Sequence, residues 1–332
     1  MSTIKDVARE AEVSVGTVSH YLNGMEVKER NKVKIDLAIA KLSFKINPIA
    51  KGLRTSKTKT VGVIIPSLTD IYSTMIVGSI EQKLYEYGYN IFTCDSRGII
   101  ELEEHKARLL TEKMVDGLII YPCSEEIGYI KELQGMGIPV VTVDTALKGM
   151  QCDQVLTDNI HATYSAVEWL IANNHRRIGI INGKEKSFTA RERLKGYKRV
   201  LEDYTIEINE SYVKMKGFDE KSGYDSLTEL MSLAEPPTAV IACNYYTTIG
   251  MSKAIYDLNI QVPNQLSVIG FDNIGLSELI RPPLSIIVQP MEELGKCAAE
   301  MLLKRIDNDY EGFPSVQRLK TDFVIRKSTK AL

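Results

Sequence analysis

The spacing of apolar residues changes character near residue 60. Before it, Ile4, Val7, Ala8 and Ala11 recur every three or four positions, which predicts a short helix with one buried face. Glu12-Val13 reads as a turn, Ser14 is placed to cap a second helix reaching about Asn23, and Asn23-Gly24 ends it. Val13, Val18 and Leu22 close against the first helix, and Val33, Leu37, Ala40 and Leu42 give the stripe of a third. Three short helices around one small core, the first two joined by a three-residue turn, have helix-turn-helix geometry.

After residue 60, short apolar runs alternate with helical segments. TVGVIIP (60–66), YNIFTC (89–94), DGLIIYP (116–122) and IPVVTVD (138–144) read as strands, with helical segments over 76–88, 103–114 and 128–137 between them. The pattern restarts after Asn159. Strands are predicted at 176–183, 211–217, 238–244 and 265–273, interleaved with helices ending in PMEELGKCAAEMLLKRI (290–306), and a last strand at 319–329. Such alternation predicts parallel sheets covered on both faces, here as two doubly wound lobes. INPIAKGLRTSKTKT (46–60) lies between the two grammars and reads as a linker. Within it Pro48, Ile49, Ala50 and Leu53 form one apolar face of a hinge helix too short to persist alone in water. The predicted architecture is an all-α helix-turn-helix head (1–45), a linker and hinge helix (46–59), and a two-lobed α/β core (60–332). One lobe takes about 60–158 plus 290–318, the other about 159–287 plus 319–332.

Charge sharpens the division. Residues 1–59 hold twelve Lys/Arg against six Asp/Glu, a net of +6, leaving −8 on the remainder. A basic head on an acidic body points to a polyanion partner for the head alone. In a helix-turn-helix the second helix enters the DNA major groove by its first turn, and Val15, Gly16 and Thr17 keep that turn slim. Thr17, Ser19 and His20 supply hydrogen-bonding groups, Val15 suits a thymine methyl, and Gly16 permits close backbone approach.

Other chemistries are poorly supported. There is no GxGxxG, GxxxxGK[ST] or GxSxG sequence, so nucleotide-binding and hydrolase readings lack their central motif. The five cysteines are scattered singly, which predicts small buried hydrophobes rather than disulfides or a metal site, and no cofactor is expected. No 18-residue apolar run and no signal-peptide pattern occur, so a cytoplasmic protein without membrane attachment is expected. Ligands in doubly wound lobes sit beyond the strand carboxyl ends and between lobes. Asp70, Asp144, Asp158 and Asp272 lie just beyond strands, Asn244 ends one, and Arg191 opens a helix after another. Tyr72 and Phe218 offer flat apolar walls. Together they suit a small ligand bearing several hydroxyls or an anionic group.

TIKDVAREAEVSVGTVSHYLNG, IAKGLRTSKTKTVGVIIP, HRRIGIING followed by TARERLKGY, then PTAVIACN, LSVIGFDN and RPPLSIIVQP resemble bacterial transcriptional regulators of the lactose-repressor (LacI/GalR) family over almost the whole chain. The resemblance implies a periplasmic-binding-protein-like core and regulation without catalysis. It implies DNA contacts from Thr3, Ser14, Val15, Gly16, Thr17, Ser19, His20 and Asn23, and from Asn47, Ala50, Leu53 and Arg54 in the hinge. Leu53 matches a wedge entering the minor groove. The implied effector cleft holds Asp70, Tyr72, Asp144, Arg191, Phe218, Asn244, Tyr245 and Asp272. A homodimer, with the N-terminal lobe pairing, would bind a near-palindromic double-stranded operator, by default as a repressor, with a sugar-like small molecule shifting its balance. No leucine-rich extension follows residue 332, which favours a dimer over a tetramer.

Three departures stand out. The proline before the hinge is displaced, in Phe44-Lys45-Ile46-Asn47-Pro48, the loop after Asn23-Gly24 is one residue short, and the Asn-Asp usual after the PTAVIAC strand is Asn244-Tyr245. Loss of that carboxylate removes a hydroxyl acceptor and places a tyrosine where it can cap the cleft. It keeps open a second kind of regulation, by a phosphoprotein co-effector as in the related catabolite-control regulators. A solute-binding protein is the reading from another class; the head and the missing export signal argue against it.

Overall fold

A computed structural model describes residues 2–22, 24–44, 57–272 and 275–332. The chain forms two compact units, Met1–Thr58 and Lys59–Leu332.

The first unit holds α1 (Ile4–Glu10), α2 (Val15–Leu22) and α3 (Glu29–Lys41). Thr3 caps α1 reciprocally with Asp6, whose carboxylate takes the Thr3 N–H at 2.9 Å. Ser14 Oγ accepts the Thr17 N–H at 3.0 Å, filling an orphan donor of α2 as its position predicts. Val7, Ala8, Ala11, Val18, Ile35 and Ala38 form the core. The third helix turns a different face inward from the one expected. Ile35 and Ala38 are buried, with Ile39 and Leu42 beside them, while Leu37 is 66% exposed and Val33 lies outside too. Leu42 packs inward as expected, but Val33, Leu37 and Ala40 lie about 180° around the helix from Ile35, Ala38 and Ile39, and each trio satisfies helical spacing. Packing against Val7 and Val18, not periodicity, selects between them.

The second unit is built on two six-stranded sheets. The first contains β1 (Thr60–Ile65), β2 (Asn90–Asp95), β3 (Gly117–Ile120), β4 (Val140–Val143) and β5 (Asp153–Thr157). The second contains β6 (Ile178–Asn182), β7 (Val213–Met215), β8 (Ala239–Ala242), β9 (Ser267–Phe271) and β10 (Ser285–Val288). Then β11 (Val316–Leu319) returns to the first sheet and β12 (Asp322–Val324) to the second. The orders are β11-β5-β4-β3-β1-β2 and β12-β10-β9-β8-β6-β7, all parallel except the antiparallel β10–β12 edge. The single strand expected over 319–329 is therefore two short ones in different sheets, because the chain crosses between lobes there.

The helices that matter below are α4 (Ile71–Glu86), α5 (Ile100–Glu112), α6 (Tyr129–Gly135), α7 (Asn159–Ala172), α8 (Phe188–Asp203), α9 (Glu220–Met231) and α10 (Tyr245–Asp257). A one-turn α11 (Leu276–Leu279) and the long α12 (Met291–Ile306) follow. The chain enters the second lobe after β5, returns to the first after β10, and crosses again after β11. On return, α12 buries Leu294, Ala298 and Leu302 against the first sheet. A Cβ at Gly295 would stand 2.6 Å from the Ile76 carbonyl oxygen, so glycine is what lets α12 cross α4 so closely. The return is pinned by a buried ion pair, Arg305 Nε to Asp153 Oδ2 at 2.6 Å, with Asp153 also accepting the Ser315 N–H. Among the described residues no helix is long and apolar enough to cross a membrane.

Candidate functional site

In the head, α2 presents its first turn outward. Val15 is 42% exposed, Gly16 and His20 are exposed, and Thr17 and Ser19 are half-buried. The Thr17 hydroxyl is already engaged with Ser14 Oγ at 2.8 Å. Among the described residues a Cβ on Gly16 would meet only Ser14 Oγ, at an ordinary 3.6 Å, so none of them demands glycine there. Thr3 is exposed and occupied as a cap. Asn23, Asn47, Ala50, Leu53 and Arg54, with the hinge helix expected around them, lie outside the described residues.

Between the lobes of the core lies a cleft of about 520 Å³. Of the expected residues it brings together Asp70, Tyr72, Asp144, Phe218, Asn244, Tyr245 and Asp272. The two lobes contribute by the same device. Asp144 follows β4 and Asp272 follows β9, each in left-handed backbone (φ 71° and 68°), where the N–H bonds the next strand. This conformation is uncommon for a residue with a Cβ and recurs at ligand sites. Asp70 and Asn244 follow β1 and β8, where each caps the helix that follows, accepting from Ser73 at 3.0 Å and Thr247 at 2.8 Å.

Asp272 is 4% exposed; its Oδ1 accepts from Gln289 Nε2 at 2.7 Å and its Oδ2 from the Tyr245 N–H at 3.3 Å. Burial pushes its carboxyl up to about 6, against the pull of the nearby Arg193 guanidinium. Asp144 accepts from the Tyr72 hydroxyl at 3.1 Å; desolvation raises it too, opposed by Arg193 and that hydrogen bond. Burial beside Asp144 holds the Tyr72 hydroxyl well above its usual range, so it stays a donor. Phe218 is seated on Gly183, where a Cβ would come within 2.5 Å of the ring.

Arg191 is not among these residues. It leaves the cleft lining and pairs with Glu125 from the other lobe while donating to the Glu185 carbonyl at 2.9 Å. The cleft arginine is Arg193, 4% exposed, with Nε on Asn159 Oδ1 at 2.8 Å and Nη1 on the Cys243 carbonyl. Its guanidinium lies 4.0 Å from the Phe271 ring centroid and 5.5 Å from that of Phe218. A helical wheel carries the signal: Ala190, Arg193, Tyr197 and Val200 share the buried stripe of α8, and Arg191 is about 200° away from Arg193. Sequence reasoning also missed Tyr246, which bonds the Thr69 carbonyl across the cleft at 2.8 Å and packs edge-to-face on Tyr245 with centroids 5.3 Å apart. Tyr121 and Gln289 complete the floor. All five cysteines are free, Cys152 and Cys243 fully buried and the others half-buried, and no metal-ligating cluster occurs among the described residues.

The family description "Bacterial regulatory proteins, lacI family" matches residues 3–47, and "Periplasmic binding protein-like domain" matches 167–329. The "HTH-type transcriptional repressor PurR" of Vibrio campbellii is 32% identical over 335 residues, covering 100% of both chains. A crystal structure of the lac repressor dimer bound to operator and the anti-inducer ONPF superposes with a TM-score of 0.89 at 26% identity, over 99% of each chain. A LacI family regulator from Enterococcus faecium, with bound ribose, superposes at 0.74 with 30% identity, over 82% of this chain and 99% of that one.

Proposed function

The chain belongs to the lacI family of bacterial regulatory proteins, DNA-binding transcription regulators rather than enzymes, and from that premise we propose that it is a dimeric repressor released or engaged by a sugar-like metabolite. Operator reading falls to α2. Val15, Gly16, Thr17 and His20 face base edges, and Thr3, Ser14 and Ser19 face the phosphate backbone. The basic head supplies salt-dependent affinity and the two-fold dimer a near-palindromic site. Asn23 joins these contacts, while Asn47, Ala50, Leu53 and Arg54 act from the hinge in the minor groove.

Gly16 carries this reading. It weakens a short helix, no packing among the described residues requires it, and a close external surface explains it. On DNA chosen by in vitro selection with the full chain, Gly16→Ala should raise thermal stability slightly while weakening operator binding by at least tenfold, about 1.4 kcal/mol. Undiminished binding, or selected sequences without two-fold symmetry, would refute it.

The effector reading rests on the cleft, which is large enough for a monosaccharide and lined by acceptors, one guanidinium and aromatic faces. Asp70, Tyr72, Asp144, Phe218, Asn244, Tyr245 and Asp272 hold the ligand, joined by Arg193. Arg191 acts instead at the rim. With Glu125 it forms a link across the lobes, beside Arg318–Glu192 at 3.5 Å and Tyr246–Thr69. A ligand that favours one lobe arrangement shifts the population of core states, and through it the engagement of two heads on one operator.

A further inference from the structure

Lys59 is the first residue of the second unit, where the linker gives way to β1. It is exposed, so burial does not order its side chain, yet each of its polar groups is engaged. The backbone N–H donates to Asp116 Oδ2 at 2.9 Å, and the carbonyl accepts the Asn90 N–H at 2.9 Å. Nζ lies 4.1 Å from the centroid of the Tyr89 ring, itself 2% exposed, and donates to the Tyr87 carbonyl at 3.4 Å. The backbone is left-handed, φ 55°, a conformation that is costly with a Cβ and persists where the surroundings over-determine it. Holding a lysine in one rotamer costs side-chain entropy as well.

The partners of the ammonium belong to a rigid body that reaches the cleft. Tyr87 is the C-cap of α4, where a cation meets the negative end of the helix dipole, and the Tyr89 N–H bonds back to the Leu84 carbonyl. The other end of α4 is capped by Asp70, which lines the cleft. Its 16 residues span about 24 Å. The helix is locked on α12 by the close crossing at Gly295 and by Lys83, which bridges to Glu300 at 3.1 Å. Asp116 precedes β3, and its N–H bonds the Thr60 carbonyl. Lys59 therefore ties the start of β1 to β2, to the approach to β3 and to the end of α4.

We infer that Lys59 is a positioning residue for operator binding: its clasp on Tyr87 and Tyr89 fixes the direction in which the linker leaves the core, and thereby the half-site spacing that a dimer accepts. The inference rests on the dimeric DNA-binding reading above and names the residue that sets this spacing. Moving two half-sites by one base pair changes their separation by about 3.4 Å and their relative rotation by about 35°. A clasped exit meets that change with strain in both protomers, whereas a free one swings to absorb it. A plain role in core stability would act on every DNA alike, and a phosphate contact would act through the salt dependence.

The test uses the full-length protein and the operator found by in vitro selection, on duplexes whose half-sites stand one or two base pairs closer together or farther apart. The parent should favour its selected spacing by about tenfold or more. Asparagine tolerates left-handed backbone but is too short for the Tyr89 ring, so Lys59→Asn should reduce that preference to about threefold or less. Its melting temperature, its affinity for non-specific DNA and the salt dependence of that affinity should match the parent's. Lys59→Arg keeps a cation over the ring and should restore the preference. A spacing preference undiminished in the asparagine variant, or absent from the parent, overturns the inference. So does a weaker and less salt-dependent hold on non-specific DNA, which would make Lys59 a phosphate contact. A preference lost only together with the cooperative melt would make it a stability residue, and overturns it too. Each of these leaves the regulator reading standing; failure to select any two-fold operator removes that reading, and this inference with it.

Discussion

The two lobes place an aspartate at the same topological position and surround it differently. Asp144 and Asp272 both end a central parallel strand in left-handed backbone, each bonding the neighbouring strand through its N–H. Asp144 is steadied by the field of Arg193 from across the cleft and by one side-chain hydroxyl, from Tyr72. Asp272 is steadied by an amide side chain, a helix-start N–H and the field of an arginine fixed within its own lobe. A repeated fold therefore supplies the position, while the local shell sets how strongly each carboxyl resists ionisation. The second lobe is the organised half of the cleft, to which the first contributes a carboxylate and tyrosines.

The comparison is broken most severely at Arg193. Arg193→Ala removes the cation from a buried network and strands Asn159 and the Cys243 carbonyl, so it should cost about 3–5 kcal/mol in urea unfolding. Arg191→Ala, two residues away on a half-exposed ion pair, should cost less than about 1 kcal/mol. Equal losses would mean that the second lobe is not organised around Arg193.

The pH response separates the two aspartates next. Asp272 has its carboxyl raised to about 6 from an ordinary 3.8, so the folded protein binds a proton more tightly than the unfolded chain. That contribution is full below about 3.8 and is lost as pH rises through about 6; it reaches about 3 kcal/mol. Asp272→Asn should flatten stability between pH 4 and 7 relative to the parent. An unchanged slope would place the titration elsewhere.

A smaller effect is expected at Gly183. Gly183→Ala drives a methyl into the Phe218 ring, which should cost about 1–3 kcal/mol and weaken effector binding by pushing the ring into the cleft. Calorimetric titration with whichever sugar stabilises the parent checks it. The smallest is Tyr72→Phe, which takes away the only side-chain donor found on Asp144 among the described residues. A loss of about 1 kcal/mol is expected, with the Asp272-linked pH slope intact. A changed slope would mean that the two carboxyls titrate as a pair.

Much of the molecule follows from local pattern. The Ser14 cap, the α1–α2 turn and the β1, β3, β4, β6, β8 and β9 runs are written in consecutive residues, because caps and fully buried parallel strands impose their own short-range grammar. Strands β5, β10 and β11 were less visible. DQVLT and VQRL mix polar and apolar residues, and they become strands by pairing with neighbours far along the chain. The departure at Asn244-Tyr245 was legible as an altered residue, but not its outcome. Tyr245 lines the cleft and hands its N–H to Asp272, while the next residue, Tyr246, reaches the opposite lobe.

The sequence by itself determined the alternation of elements, the basic head, the slim start of α2 and the acidic residues that end the strands. These are properties of neighbours, and periodicity, capping and strand-end position report them directly. Only the tertiary structure decided which face of α3 turns inward, which of two arginines on α8 enters the cleft, and where Gln289 meets Asp272. Each is a choice between positions that local spacing treats alike. It is settled by what packs against them from a distant part of the chain, where a rotation of half a helical turn separates a buried network from a surface ion pair.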